Sequence, residues 1–459
     1  MKYRTLAIDH PQDLIFGTAP NPVTSGRGLV FGGGKVYPEV NFTVPEGTVI
    51  NRATLPALAD SYAEAVRGIL QRAVELHSSG LTIEFETLLE MTLDPFIGVE
   101  LMKRMNDVAE EYHRKHGLKS EIRLTPNDTR EYDHPPKSST SQYLENMLKL
   151  FDEGAKAGGN LLSIESIGGK EICDDALTAC DIRRVVFALA VVGVRDMKFL
   201  WKQIVGIARD NGKIAGGDTA CGFGNTAMVL AERQYIPRVF AAVVRVITAV
   251  RSLVAVEEGA TGPDKDCGYE GVYLKAIAGI PISMEGKMAA CAHFSSVGNV
   301  ASACADLWSN ESIQNIKLLG GMSPTVSLEQ LEYDARLMNT ASGQGPSTAR
   351  MLQNLMVESD IHTDPQALVL APDIVIEISK EIVSGKDYLE ATVKGALKAL
   401  EIIRAAVKEG SLIVPQKEVV WIDRIQDQLA SIPLDEGRFI EDMMPTLDTT
   451  KFDAREYGL

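Results

Sequence analysis

The sequence lacks the basic excess of a nucleic-acid binder. Its 459 residues carry 46 Lys and Arg against 62 Asp and Glu, a formal charge of −16, whereas displacing phosphate counterions requires basic patches. It also lacks an uninterrupted apolar run of the ~18 residues that a membrane span needs; Val185–Val194 is too short and ends at Arg195 and Asp196. Met1 to His10 are mixed in polarity and charge, without the basic start and apolar core of a secretory signal. A cytoplasmic protein with a small-molecule or protein partner is expected, with no nucleic acid and no membrane. Cysteine is scarce, at 6 residues, and in a reducing compartment these read as buried thiols, ligands or nucleophiles before disulfides. Among 7 histidines no pair forms H-x-H or H-E-x-x-H, which removes the common His-based zinc hydrolase sites. Short-period repeats and low-complexity linkers are absent as well.

What is present is an alternation of short apolar runs and helical periodicity. A prior of roughly 150 residues per domain suggests about three domains, but an α/β barrel runs to about 250 residues and longer with insertions. The opening segment, residues 1–55, is rich in Gly, Pro and β-branched residues and reads as an N-terminal cap of loops and short strands. Then Ala57–His77 has helical spacing, Leu81–Glu86 alternates like a strand, Gly98–His116 is helical, and Glu121–Leu124 is extended. The rhythm continues through a helix over Ser141–Ala157, an apolar run Asn160–Ile164, helices over Ala176–Val194 and Met197–Asn211, and the short run Lys213–Gly216. Period alone does not decide whether Leu253–Val256 ends a helix or forms a strand. Ile280–Met284 and Ile316–Leu319 complete six or seven strand candidates where a closed barrel needs eight. Strands that alternate with helices indicate βαβ units and a parallel sheet, so a (β/α)8 TIM-type barrel over residues 56–360 is predicted. From about Pro365 to Val414 aliphatics are interleaved with Lys and Glu and no strand intervenes, which makes residues 361–459 a C-terminal helical extension.

Three segments carry chemistry. Ile214-Ala-Gly-Gly-Asp-Thr-Ala-Cys221-Gly-Phe-Gly-Asn-Thr is a short strand running into a glycine-rich turn with a thiol at its end. Leu161-Leu-Ser-Ile-Glu165 places a carboxylate in the same way, and Gly262-Pro-Asp-Lys-Asp-Cys267-Gly-Tyr-Glu-Gly sets a cysteine in a polar loop. Reacting groups of barrels sit at the carboxyl ends of strands, where the βα loops converge on one mouth. Two thiolates and a carboxylate are a ligand set for Zn2+ that leaves a fourth tetrahedral corner open, as a catalytic site requires. Against this stands the fact that free cysteine is among the most buried residue types and packs as a small hydrophobe.

These segments, their order and nearly the whole chain length resemble the methanol:corrinoid methyltransferase subunit of methanogenic archaea and some acetogenic bacteria. The Gly-Asp-Thr-Ala-Cys-Gly-Phe-Gly and Asp-Cys-Gly-Tyr-Glu-Gly runs carry the resemblance. It implies a (β/α)8 barrel, a catalytic zinc held by Glu165, Cys221 and Cys267, and a corrinoid supplied by a partner protein. It further implies transfer of the methyl group of methanol to Co(I) of that corrinoid, the metal withdrawing charge from the C–O bond. Glu171 lies close behind Glu165 as a rival ligand. The cobalt-ligand motif D-x-H-x-x-G is absent, because Asp360-Ile-His362 has Pro365 where the glycine should stand; the corrinoid is therefore expected on another chain. A homo-oligomer is also expected, with the tail and the cap as contact regions.

The remaining features divide by chemistry. Asp218 and Glu86, near strand ends, are candidates for protonating the departing oxygen. Cys173, Cys180, Cys291 and Cys304 read as core packing, and His293 as a satisfied buried histidine near the mouth. Gly222-Phe-Gly224-Asn-Thr-Ala227 fits the dinucleotide fingerprint G-x-G-x-x-A, but the acidic residue expected roughly 20 positions on would fall inside a helical run. Gly32-Gly33-Gly34-Lys35 is followed by Val36 and is not a P-loop. The alternatives to methanol transfer are another small methoxy substrate, a nicotinamide-dependent oxidoreductase using the Gly222–Ala227 turn, and a non-catalytic docking subunit for a corrinoid protein.

Overall fold

The computed structural model describes residues 1–459 apart from Asp266. Its centre is a seven-stranded sheet: β1 (Tyr37–Asn41), β2 (Leu81–Glu86), β3 (Ser120–Thr125), β4 (Leu161–Ile164), β5 (Ile214–Asp218), β6 (Ser283–Glu285) and β7 (Leu307–Asn310). The order is β5-β4-β3-β2-β1-β7-β6, and every neighbouring pair is parallel. The strands β2, β3 and β4 are buried along almost their whole length, as expected when both faces of a parallel sheet are covered.

Side-chain bonds between strands that are not neighbours show that the sheet curls. Glu39 on β1 accepts from Arg123 Nε on β3 at 2.9 Å and from Ser283 Oγ on β6 at 2.6 Å. Arg123 Nη1 continues to Ser163 Oγ on β4 at 2.8 Å and to the Pro263 carbonyl at 2.9 Å. The Pro263 carbonyl lies beyond β5, three strand spacings of ~4.8 Å or about 14 Å from β3 in a flat sheet, which an arginine side chain does not span. Buried charges persist only when paired, and this network pairs the Arg123 charge inside the curl.

The predicted eighth regular strand is absent among the described residues, and seven are observed. The place between β5 and β6 is taken by residues 261–264. Thr261 and Gly262 donate to the Ala215 and Gly216 carbonyls of β5 at 2.8 and 3.0 Å, while Asp264 makes a parallel bridge to Ile282. Proline at 263 has no N–H for a ladder, so this segment pairs without becoming regular strand. Close approach here is permitted by Gly217, with φ +154°, where a Cβ would stand 2.6 Å from that of Asp264.

Several local readings change. Tyr37–Asn41 lies mid-sheet, inside the segment 1–55 expected as a cap, so a boundary at residue 55 cuts through the sheet. Leu253–Val256 belongs to the helix Arg238–Glu258. Of Ile316–Leu319 only Lys317–Leu318 is extended, in a small exposed hairpin with Gly321–Met322. The helix Arg238–Glu258 is long and apolar enough to cross a membrane by length and composition, and that stretch is wholly buried in the fold. A helix apolar on all sides needs cover on all sides; the later helices Pro372–Ser384, Tyr388–Glu409 and Gln416–Ala430 include those that supply it. Tyr388 Oη donates to Glu257 Oε2 at 2.5 Å, and the Val239 N–H donates to Glu418 Oε2 at 3.2 Å.

Candidate metal centre at the carboxyl ends of the strands

Parallel strands place all their carboxyl ends on one side of the sheet. Glu165 directly follows β4, Cys221 opens the helix Cys221–Glu232 that follows β5, and Cys267 follows the 261–264 segment. These are three successive positions around the curl. The ligating atoms of Glu165, Cys221 and Cys267 all lie within 4.8 Å of one another. In a tetrahedral zinc site with Zn–S near 2.3 Å and Zn–O near 2.1 Å, ligand atoms stand about 3.5–3.8 Å apart, so the donors fit such an ion in type and spacing. Glu171 is not in this group; it sits in the first turn of the helix Lys170–Ala179.

Each ligand is held from behind. The Cys267 thiol donates to Glu165 Oε1 at 3.0 Å, and the N–H groups of Cys267 and Gly268 donate to Thr219 Oγ1 at 3.3 Å each. Asn225, one turn along the helix, donates to Cys221 Sγ at 3.3 Å. Glu270 Oε1 accepts from the Ala220 N–H at 2.5 Å and from Ser252 Oγ at 2.8 Å, which ties the Cys221 turn to the buried helix. Two arginines of that helix reach the ligand loops. Arg245 donates to the Gly268 carbonyl. Arg251 donates to the Ser166 carbonyl at 2.9 Å and Ser166 Oγ at 2.8 Å, and pairs with Asp218 at 3.4 Å. The loop after Glu165 is fixed further by Asp128, which accepts from the Ile167 N–H at 3.0 Å and is itself paired with Arg130.

Electrostatics favour a cation. The contact with Cys267 lowers the Cys221 thiol, but burial together with Glu165 and Glu285 pushes it up to about 12. Burial, the Cys221 contact and the same two carboxylates raise Cys267 well above the ordinary thiol range. Thiols in this state require a bound cation to become ligands. Lys265, 5% exposed, stands beneath, 3.0 Å from Glu84 Oε1, 3.0 Å from Glu86 Oε2 and 3.1 Å from Glu165 Oε1. This lysine, decisive for the orientation of Glu165, has no motif of its own; its position two residues before Cys267 was the available signal.

The two candidate proton donors occupy different situations. Asp218 is buried under Trp201 Nε1 at 2.8 Å, the Ser166 N–H and Arg251, and burial raises its carboxyl to about 6 against these bonds; it braces the Glu165 loop. For Glu86 burial is outweighed by Lys265 and Asn41, which hold the carboxyl below its usual range. Cys173, Cys180 and Cys304 are buried as expected, with Cys304 donating to the Leu14 carbonyl at 3.3 Å, whereas Cys291 is exposed and does not serve the core. The Gly222–Ala227 turn packs protein against protein. A Cβ on Gly224 would meet the Gly268 backbone at 3.4 Å, and one on Gly268 would meet Glu270 Oε2 at 2.2 Å.

A second group escaped the sequence reading. Among the described residues, Glu285, His293 and Glu311 also bring their ligating atoms within 4.8 Å of one another. His293, expected as a satisfied buried histidine, is half-buried at the mouth, with Nε2 3.1 Å from Glu311 Oε1 and Nδ1 without a hydrogen-bond partner. The signal was available: Glu285 ends a strand as Glu165 follows one.

The family model for the methanol-cobalamin methyltransferase B subunit matches residues 1–458. A methanol–corrinoid protein co-methyltransferase of Methanosarcina barkeri (strain Fusaro / DSM 804) is 34% identical over 465 residues, covering 100% of this chain and 99% of that one. The crystal structure of the methanol:cobalamin methyltransferase complex MtaBC from Methanosarcina barkeri contains a chain that superposes with a TM-score of 0.95 at 32% identity, covering 100% of this chain and 99% of its own. Fold, length and sequence agree from end to end, and the chain belongs to the methanol-cobalamin methyltransferase B subunit family, a family of methyltransferase enzymes.

Proposed function

We propose that this methyltransferase takes its methyl group from methanol and passes it to Co(I) of a corrinoid carried by a partner protein. The observation that carries the reading is the convergence of Glu165, Cys221 and Cys267 from three successive positions of one mouth, in a chain of this family. These residues would hold Zn2+. When bound, the ion supplies a Lewis acid for an alcohol oxygen and so weakens the C–O bond. Cys221 and Cys267 contribute thiolates and Glu165 a carboxylate, and Lys265 fixes the Glu165 oxygen that faces Cys267. Arg245 and Arg251 hold the Gly268 and Ser166 carbonyls, and so the loops that carry Cys267 and Glu165, in one arrangement, the fixed positioning that in-line attack demands. Methanol and Co(I) with one proton give methyl-cobalt and water, so the departing oxygen draws a proton from the mouth.

The partner enters where the loops meet. A solvent-open recess of about 500 Å³, lined by Asn41, Glu86, Asn127, Glu311 and Ile313 among others, adjoins the mouth. In this reading residues 261–264 complete an eight-position barrel, the helices after residue 360 serve contacts between subunits of a homo-oligomer, and a cytoplasmic setting keeps the thiols reduced.

Zinc analysis and methyl transfer to reduced cobalamin test the proposal together. The wild type should hold one equivalent of zinc and methylate cobalamin from methanol. Cys221→Ser and Cys267→Ser should each lose the metal, with activity down by more than the ~100-fold typical of changes to outer partners. Full activity in a metal-free variant overturns the reading, and faster transfer from a methyl ether or another alcohol replaces methanol as substrate.

A further inference from the structure

We propose that Glu285, His293 and Glu311 form a second divalent-cation site, of the carboxylate–imidazole class, beside the thiol-lined cluster. Glu285 ends β6, His293 follows the short helix Lys287–Ala292, and Glu311 follows β7. The three donors reach one another within 4.8 Å.

An independent observation points to a ligand. Glu285 is 7% exposed, and its Oε2 is buried with no hydrogen-bond partner; His293 Nδ1 is buried without one too. Buried polar atoms in folded proteins are satisfied with few exceptions, and here two of them belong to adjacent members of one ligand group. The charges point the same way. Glu84, Glu86, Glu165, Glu285 and Glu311 all feel the one ammonium of Lys265. That ammonium is already 3.0–3.1 Å from Glu84, Glu86 and Glu165, which leaves Glu285 and Glu311 in surplus. With both carboxyls ionised, two carboxylates and a neutral imidazole would carry a formal charge of −2, which one divalent ion cancels.

The donor types define the ion. One nitrogen and carboxylate oxygens suit first-row divalent metals, Mn2+ included, while two thiolates select zinc. The two clusters therefore sort metals by softness, and Mn2+ reads the second without displacing zinc from the first. The site does not depend on the reaction proposed above.

Titration of the zinc-loaded full-length protein with Mn2+, followed by the electron paramagnetic resonance of free Mn2+, tests the assignment. The wild type should bind one Mn2+ per chain. Glu311→Gln and His293→Ala should weaken this roughly tenfold or more while keeping zinc content and circular dichroism unchanged, since Glu311 is exposed and His293 half-buried. Cys221→Ser should lose zinc yet still bind Mn2+ through the second cluster. No Mn2+ binding by the wild type overturns the proposal. So does undiminished binding by either second-site variant, or loss of Mn2+ in Cys221→Ser with retention in Glu311→Gln, which would place Mn2+ among the thiols.

Discussion

The two ligand clusters at the mouth occupy neighbouring strand positions around one curl, yet they are built differently. Behind Glu165, Cys221 and Cys267 lies a wholly buried framework: Arg245 and Arg251 from the core helix, Asp218, Glu270 and Trp201. Behind Glu285, His293 and Glu311 there is a three-residue strand, a six-residue helix and a surface carboxylate. Directly after His293 stands Phe294, 63% exposed. The difference teaches where preorganisation is concentrated. Permanent guanidinium charges fix the backbone next to two of the thiol-side ligands, and a site fixed in this way holds its geometry whether or not a ligand is bound.

The strongest way to break that contrast is to remove a brace. Arg251→Met would strand Asp218 and the Ser166 carbonyl in the core, and breaking a buried pair by deleting one partner costs about 3–5 kcal/mol. Urea unfolding should show a loss of this size, and zinc affinity should fall roughly 10–100-fold as the Glu165 loop loosens. Glu311→Gln, on the open side, should move stability by less than about 0.5 kcal/mol. Equal losses in the two variants would erase the distinction between a braced and an open cluster.

How much of this was legible in the sequence follows from the same contrast. The thiol side announced itself because strand, glycine turn and ligand are contiguous: Ile214 to Cys221 reads as one strand-to-helix turn. β2, β3 and β4 were visible as short apolar runs. β1 was not, because Pro38 and the glycines before it argue against a central strand. The register resolves this: Pro38 is paired with Trp308 of β7, while pairing to β2 begins only at Glu39. β7 was hidden by its short length and by Asp306 just before it, a buried carboxylate bonded to Lys275 at 2.9 Å. The helix 238–258 was ambiguous because an all-apolar run has no face to betray its period. The arginines that decide its role were single letters in that run.

A sharper probe addresses the charges that titrate. Burial pushes the Glu84 carboxyl up to about 7, against the pull of Lys265. The folded protein thus holds this proton to higher pH than the unfolded chain, whose value is near 4.5. Between these values the folded state binds more protons, so the Glu84 contribution is fully present below about pH 4.5 and is lost as pH rises through about 7. In metal-free protein, the stability of the wild type minus that of Glu84→Gln should fall by on the order of 3 kcal/mol across this window. A difference flat in pH would show that Lys265 fully neutralises Glu84, and the mouth would then be braced by fixed charge throughout.

The smallest expected effect separates the thiol turn from the dinucleotide fingerprint it resembles. Gly222 is the second residue of the helix that Cys221 opens. A Cβ there would meet only the Cδ and Cε of Lys170, both at 3.4 Å, a contact at ordinary range with the end of a flexible side chain. Replacing glycine by alanine within a helix is favourable by up to about 1 kcal/mol. Gly222→Ala should therefore raise stability slightly and leave zinc content and methyl transfer within about twofold, well under the effect of a lost outer partner. A dinucleotide turn behaves oppositely, since its glycines let the backbone approach the pyrophosphate and a methyl group there blocks it. If the alanine variant lost a nicotinamide-dependent absorbance change that the wild type displays, the turn would be a cofactor cradle, and the framework behind it would serve a nucleotide rather than a metal.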